Sequence, residues 1–149
     1  MITNNLGIEL IKKFEGFKSN PYLCPAKVPT IGYGATYYPN GTKVKLTDKE
    51  ITEEYATEML KLHLKHYEEI VNRYVTSELT PNRFSALVSF TYNLGARSLK
   101  ISGLLKRVNA NPNDTYINNE FNKWVYAGGK KLKGLVTRRR KEAELYFKK

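Results

Sequence analysis

The chain has 149 residues and a formal charge of +11, with 41% hydrophobic and 26% charged residues, the balance of one soluble globular domain with a real core. No apolar run approaches the roughly 18–20 residues of a membrane span, and the N-terminus, charged at Glu9, Lys12, Lys13 and Glu15, lacks a signal-peptide pattern. The single cysteine, Cys24, excludes a disulfide within this chain and zinc-finger spacings alike.

In chain order, Thr3 or Asn4 can cap a first helix running to about Phe14 or Glu15, with Leu6, Ile8, Leu10, Ile11 and Phe14 as its apolar positions. From Gly16 to Val44, Pro21, Pro25, Pro29 and Pro39 alternate with Gly32, Gly34, Gly41 and short aromatic or β-branched runs, which predicts a small sheet of turns and hairpins. Thr47 with Glu50 is a capping-box pattern for a helix over about 48–73. Thr80-Pro81 opens and Gly95 closes another helix. That helix is apolar almost all round through Phe84, Leu87, Val88, Phe90, Tyr92 and Leu94, and reads as the central buried one. Shorter helices fit 102–109 and 114–126, and a Gly-Lys loop from Gly128 to Gly134 leads to a last helix over about 135–148. The expected fold is α+β, mostly α. A small β-rich lobe at about 16–46 and a larger helical lobe at about 47–149 make one domain, 1–149, with a cleft between the lobes as the natural site.

Charge is unevenly placed. Residues 1–60 carry seven Lys/Arg and seven Asp/Glu, whereas residues 123–149 carry ten against two. The C-terminal segment is therefore a basic element suited to an anionic partner. Nucleic acid, a phosphate-bearing membrane and an anionic wall polymer all satisfy that charge, which alone does not choose among them.

Three residues at the first-helix-to-sheet junction carry the most information, though none is decisive alone. Glu15 falls between Ile8 and Ile11 on the helical wheel, so a carboxylate ends an apolar stripe. Partial burial there would favour the neutral acid that a general acid in glycoside hydrolysis requires, whereas position alone reads more simply as a helix-end glutamate leaning into solvent. Cys24 lies in Tyr22-Leu23-Cys24 and Thr30 precedes Ile31-Gly32-Tyr33-Gly34. Taken singly, the first reads as a small buried hydrophobe and the second as a strand residue. His63 and His66 are three apart on a helix, with no third ligand, so no metal site is expected. His66, between Leu62 and Ile70, reads as partly buried and hydrogen-bonded. Arg138-Arg139-Arg140-Lys141 reads mainly as a solvated run, except Arg139. Its wheel position amid Leu135, Val136, Ala143 and Tyr146 turns it inward and calls for a carboxylate partner, with Glu15 the expected one and Arg138 the substitute for Arg139 in that pair.

The spacing of Phe14-Glu15-Gly16-Phe17, Tyr22-Leu23-Cys24-Pro25 and Pro29-Thr30-Ile31-Gly32-Tyr33-Gly34 resembles the active-site segment of the phage-type lysozymes, glycoside hydrolase family twenty-four. Ala86-Leu87-Val88-Ser89-Phe90-Thr91-Tyr92-Asn93-Leu94-Gly95 is similar to the central-helix motif of that family. Trp124 to Lys130 and Gly134-Leu135-Val136-Thr137-Arg138-Arg139 are similar to its C-terminal segment. The resemblance runs nearly end to end. Two positions depart from it: Cys24 stands where most members have Asp, and Ala35 where many have His.

The resemblance implies a lysozyme-like fold and a cofactor-free endolysin, an N-acetylmuramidase. It would cleave the β-1,4 bond between N-acetylmuramic acid and N-acetylglucosamine in bacterial peptidoglycan. Glu15 would be the general acid, and Cys24 and Thr30 would hold and activate water on the opposite face of the ring. Tyr33, Thr36, Tyr92 and Ser102 match glycan-contacting positions, with Arg139 in support. A monomer is expected, without nucleic acid or stable membrane insertion. It would stay in the host cytoplasm until a holin-type factor releases it to the periplasm and wall. The rival from another class is a basic nucleic-acid-binding module on an inactive lysozyme fold.

Overall fold

Asn4 caps the first helix, α1 (Asn5–Glu15), its side-chain oxygen accepting the Gly7 amide at 3.0 Å. The computed structural model describes all 149 residues, which form two units: Lys12–Lys65, and Met1–Ile11 with His66–Lys149.

In the Lys12–Lys65 unit, β1 (Lys18–Leu23) and β2 (Pro29–Gly32) pair antiparallel, with Lys18 opposite Gly32, Tyr22 opposite Thr30 and Leu23 opposite Pro29. The register shifts between Lys18 and Tyr22, a bulge that matches Pro21, which has no amide to give the ladder. Ile31, Ala35, Val44 and Met59 form the buried core of this unit, with Tyr38 and Ile51 packed against it.

The long helix α2 (Glu53–Tyr74) begins later than the Thr47-Glu50 pattern predicts. Asp48 is the reason. Its carboxylate accepts the Lys45 amide at 2.8 Å and the Tyr38 hydroxyl at 2.7 Å, so the chain turns here instead of starting a helix. Ile51 then stays non-helical because its amide bonds the Ser19 carbonyl at 3.0 Å. Thr52 caps α2 instead, accepting the Tyr55 amide at 3.1 Å.

In the helical unit, Thr80 caps α3 (Pro81–Leu94) through the Arg83 amide, with Pro81 at the first helical position and Gly95 closing the end. Every residue from Phe84 to Thr91 is buried, so α3 is the central helix that its composition predicts. It packs against α7 (Lys133–Phe147), and Phe90 stands edge-on to Phe121 and Trp124 at 5.9 and 5.6 Å between centroids. Gly7 allows α1 to approach α3 closely: a Cβ there would lie 2.6 Å from that of Ser85. Thr3 anchors the start of the chain, donating through its amide and its hydroxyl to Glu68 at 2.8 and 2.6 Å.

Two short segments differ from the sequence reading. Residues 96–110 form two helices, α4 (Ala96–Ile101) and α5 (Gly103–Ala110), with Ser102 between them. Residues 114–126 are α-helical only in α6 (Ile117–Asn122). Beyond it, β3 (Tyr126–Ala127) and β4 (Lys130–Lys131) make a hairpin across Gly128-Gly129, whose φ values of 57° and 78° suit a two-residue turn that needs both central residues left-handed.

Candidate active site

Glu15 is the last residue of α1 and is half-buried. Cys24, also half-buried, follows β1 directly. Its amide donates to the Val28 carbonyl at 3.1 Å and its carbonyl accepts the Lys27 amide at 2.7 Å, closing a tight turn in which Lys27 takes the left-handed φ of 61°. The sulfur therefore faces the amides of Val28, Ala26 and its own residue, together with the Thr30 hydroxyl. The Val28 amide does most to hold the thiol below its ordinary pKa, with the Thr30 hydroxyl and the other amides adding to it and burial opposing it.

Thr30 is buried in β2, and its hydroxyl donates to the Val28 carbonyl at 2.8 Å. Cys24 and Thr30 are thus brought together around one turn. Tyr22, which the sequence reading passed over, belongs with them. It faces Thr30 across the ladder. Burial raises its phenol, and the negative charges of Cys24 and Glu15 raise it further, so both lie within its electrostatic reach. The available signal was the two-residue spacing from Tyr22 to Cys24, which puts both on one face of a strand.

The positions assigned to glycan contact are placed as follows. Tyr33 is 4% exposed, donates its hydroxyl to Glu53 at 2.6 Å, and packs beside Phe17 with the Lys12 ammonium 5.6 Å from its ring centre. Thr36 is half-buried, and its carbonyl accepts the Val44 amide at 3.0 Å. Tyr92 is half-buried and meets the Tyr67 ring edge-on at 5.1 Å. Ser102 is buried and caps α5: its hydroxyl donates to the Leu99 carbonyl at 2.7 Å and accepts the Leu105 amide at 3.0 Å.

Arg139 turns inward as its wheel position predicts, and Arg138, expected with the solvated run, is buried beside it. Arg138 and Arg139 are 3% and 0% exposed, and only Arg140 is fully outside. Both guanidinium groups converge on Glu142, itself fully buried. Arg139 Nε lies 2.9 Å from Glu142 Oε1 without the alignment of a hydrogen bond, so that contact is electrostatic. Its Nη2 donates to Asn93 at 2.6 Å, and Ser89 donates to the other Glu142 oxygen at 2.5 Å. Burial pushes Glu142 up and Arg139 down to about 10. Within the helical unit, the carboxylate that meets Arg139 is Glu142, a residue the sequence reading left unassigned.

The histidines exchange places relative to expectation. His66 and Leu62 are exposed, whereas His63 is half-buried. The inward stripe of this part of α2 runs Ala56, Met59, Leu60, His63 and Leu64, at helical spacing. His63 lies against the Tyr37 ring at 4.4 Å, its Nε2 is shielded without a hydrogen-bond partner, and burial lowers its pKa. No group of three or more His, Cys, Asp or Glu is placed to hold a metal ion.

An acid ending the first helix, a thiol and a threonine brought together around the turn of a short antiparallel ladder, and a unit built on a helix buried from Phe84 to Thr91 make a lysozyme-type fold. The solved structures agree. The endolysin of Escherichia coli O157:H7 phage FAHEc1 superposes with a TM-score of 0.88 at 36% identity, covering 99% of this chain and 94% of that one. The muramidase domain of SpmX from Asticaccaulis excentricus gives 0.83 at 31% identity, covering 98% and 97%. The chain belongs to the phage lysozyme family, whose model matches residues 12–142. Among relatives, the endolysin of Bacillus phage B103 is 39% identical over 149 residues, 99% of this chain and 54% of that protein. The chain spans about half the length of this endolysin and of that of Bacillus phage PZA.

Proposed function

We propose that this chain is an endolysin-type N-acetylmuramidase that hydrolyses the β-1,4 bond between N-acetylmuramic acid and N-acetylglucosamine in bacterial peptidoglycan. The observation that carries the reading is the grouping of Glu15, Tyr22, Cys24 and Thr30 in one unit of a phage lysozyme family member. Endolysin relatives and the SpmX muramidase domain support the substrate class.

In the proposed reaction, the Glu15 carboxyl gives its proton to the glycosidic oxygen as the C1–O bond breaks. The Cys24 sulfur takes a proton from a water on the opposite face of the ring, and that water's oxygen bonds C1 with inversion. Thr30 orients sulfur and water. Tyr33, Thr36, Tyr92 and Ser102 would border the glycan, and Arg139 would brace the helical unit. Domain 1–149 acts as a single catalytic unit. The test is reducing-end release from purified peptidoglycan, with the anomer of the first product read by NMR: a newly formed α-anomer is expected, and a retained β-anomer would refute the water-activating role of Cys24.

The same reading assigns passage to the wall to a separate holin-type factor, and the working form to a monomer. Lysis on expression of this chain alone would refute the first, and a dimer in light scattering the second.

A further inference from the structure

The hairpin formed by β3 and β4 is the most exposed part of the helical unit. All nine residues from Tyr126 to Gly134 are solvent-exposed, including Tyr126 at 62% and Leu132 at 43%. No acidic residue occurs between Glu120 and Glu142. Of the neighbouring cations, Lys123 pairs with Glu120 at 2.8 Å, Lys141 with Glu144 at 3.3 Å, and the two buried arginines share Glu142. Lys130, Lys131 and Lys133 have no such carboxylate.

Their presentation is preformed. The Gly128-Gly129 turn fixes the tip, and the Leu132 amide ties the base to the Val125 carbonyl at 3.0 Å. Side chains alternate along β4, so Lys130 and Lys131 leave the hairpin on opposite faces. Below Lys131, an open hollow of about 300 Å³ is lined by Lys131, Lys133, Val136 and Thr137. Two ammonium groups on the rim and one apolar wall suit a phosphate flanked by a short polyol.

We propose that this hairpin binds a phosphodiester polymer of the bacterial wall, an anionic partner distinct from the glycan that is cleaved. The choice of a wall polymer rests on the muramidase reading above. The surface fits it better than other polyanions. Single-stranded nucleic acid is held by successive stacking aromatics, and here Tyr126 stands alone. A bilayer surface calls for one apolar face, and here lysines occupy both. Individual ammonium–phosphate contacts are weak and salt-sensitive, but a repeating polymer lets them rebind and sum.

The experiment measures binding without catalysis, using soluble poly(glycerol phosphate) and purified walls before and after removal of their phosphate polymers with cold hydrofluoric acid. The chain should bind the polymer and the untreated walls, more weakly as salt rises. The triple variant Lys130→Gln/Lys131→Gln/Lys133→Gln should lose at least about tenfold in affinity, and its salt dependence should fall by roughly two to three counterions. Its melting temperature should match the parent, as should its reducing-end release from stripped walls. Lys43→Gln/Lys45→Gln/Lys49→Gln, removing the same charge from exposed positions of the other unit, should keep polymer binding. Equal binding by parent and hairpin variant would overturn the proposal. So would an equal loss in the control variant, or stronger binding to single-stranded DNA or anionic vesicles than to the polymer. Failure to cleave glycan would overturn the muramidase reading and leave this binding result to stand or fall by itself.

Discussion

The hydroxyl of Thr30 stands between two acceptors, the Val28 carbonyl at 2.8 Å and the sulfur of Cys24. A hydroxyl has one proton to give. Beside a neutral thiol that proton goes to the carbonyl; beside a thiolate it can turn to the sulfur. The Val28 carbonyl does not lose its other donor, because the Cys24 amide also reaches it at 3.1 Å. Thr30 therefore favours ionised Cys24 with little disturbance to the turn.

The first prediction follows for Cys24. Its pKa is lowered chiefly by the Val28 amide, so the rising limb of the pH–rate profile should lie below that of an ordinary thiol. Cys24→Ser should lose most activity, because an alcohol is a far weaker base, whereas Cys24→Asp should keep it and become insensitive to thiol alkylation. Clearance rates across pH check this. An active Ser variant beside an unstable Asp variant would make Cys24 a structural residue.

Glu142→Gln should destabilise the fold by about 3–5 kcal/mol, since it leaves buried guanidinium groups without their shared carboxylate. Glu144→Gln, which removes an exposed partner of Lys141, should cost less than about 1 kcal/mol. Urea unfolding of the two variants compares them directly. Equal effects would show that the buried cluster carries no special weight.

Elements whose signals are local were legible in the sequence. Asn4 for α1 and Thr80, Pro81 and Gly95 for α3 act within a few residues of themselves, and the structure follows them. The late start of α2 was not legible, because Tyr38 and Ser19 decide it from a distance by binding Asp48 and the Ile51 amide. The inward turn of His63 was hidden by Leu62, an apolar residue that is exposed although Ile70, two turns further on, is buried. Glu15, Cys24 and Thr30 stood out by spacing. Tyr22 is two residues from Cys24, but strand pairing is what sets it opposite Thr30, and a linear reading does not display that pairing.

Acid should weaken the fold in two stages. Burial holds His63 below 6.5, so its neutral form is favoured in the folded chain. The associated stability is complete above that value and is lost as pH falls through the folded pKa. Glu120, held down by hydrogen bonds and charge from Lys123 and Arg107, behaves likewise below its ordinary 4.5. Melting temperature followed from about pH 8 to about pH 3 should show both stages. His63→Phe should abolish the first stage alone, and an unchanged profile in that variant would assign it elsewhere.

Two glycine substitutions should act in opposite directions. Gly7→Ala places a methyl group 2.6 Å from the Ser85 Cβ and 2.7 Å from the Thr3 Cγ2, and should cost about 1–3 kcal/mol through overpacking. Gly134→Ala, in α7 with nothing within 4 Å, should stabilise by about 0.4–1 kcal/mol by restricting the unfolded chain. Unfolding free energies of the same sign and size would contradict the close approach of α1 to α3.

Reducing-end release from purified peptidoglycan by the parent chain and by Glu15→Gln tests the central claim. The amide is nearly isosteric and should leave the melting temperature unchanged, but it has no acidic proton for the leaving oxygen. General-acid catalysis contributes about 10²–10⁴-fold, and a loss of that size is the predicted result. Release by Glu15→Gln within about threefold of the parent would contradict the assignment of Glu15 as the acid, since so small a loss falls far short of that contribution.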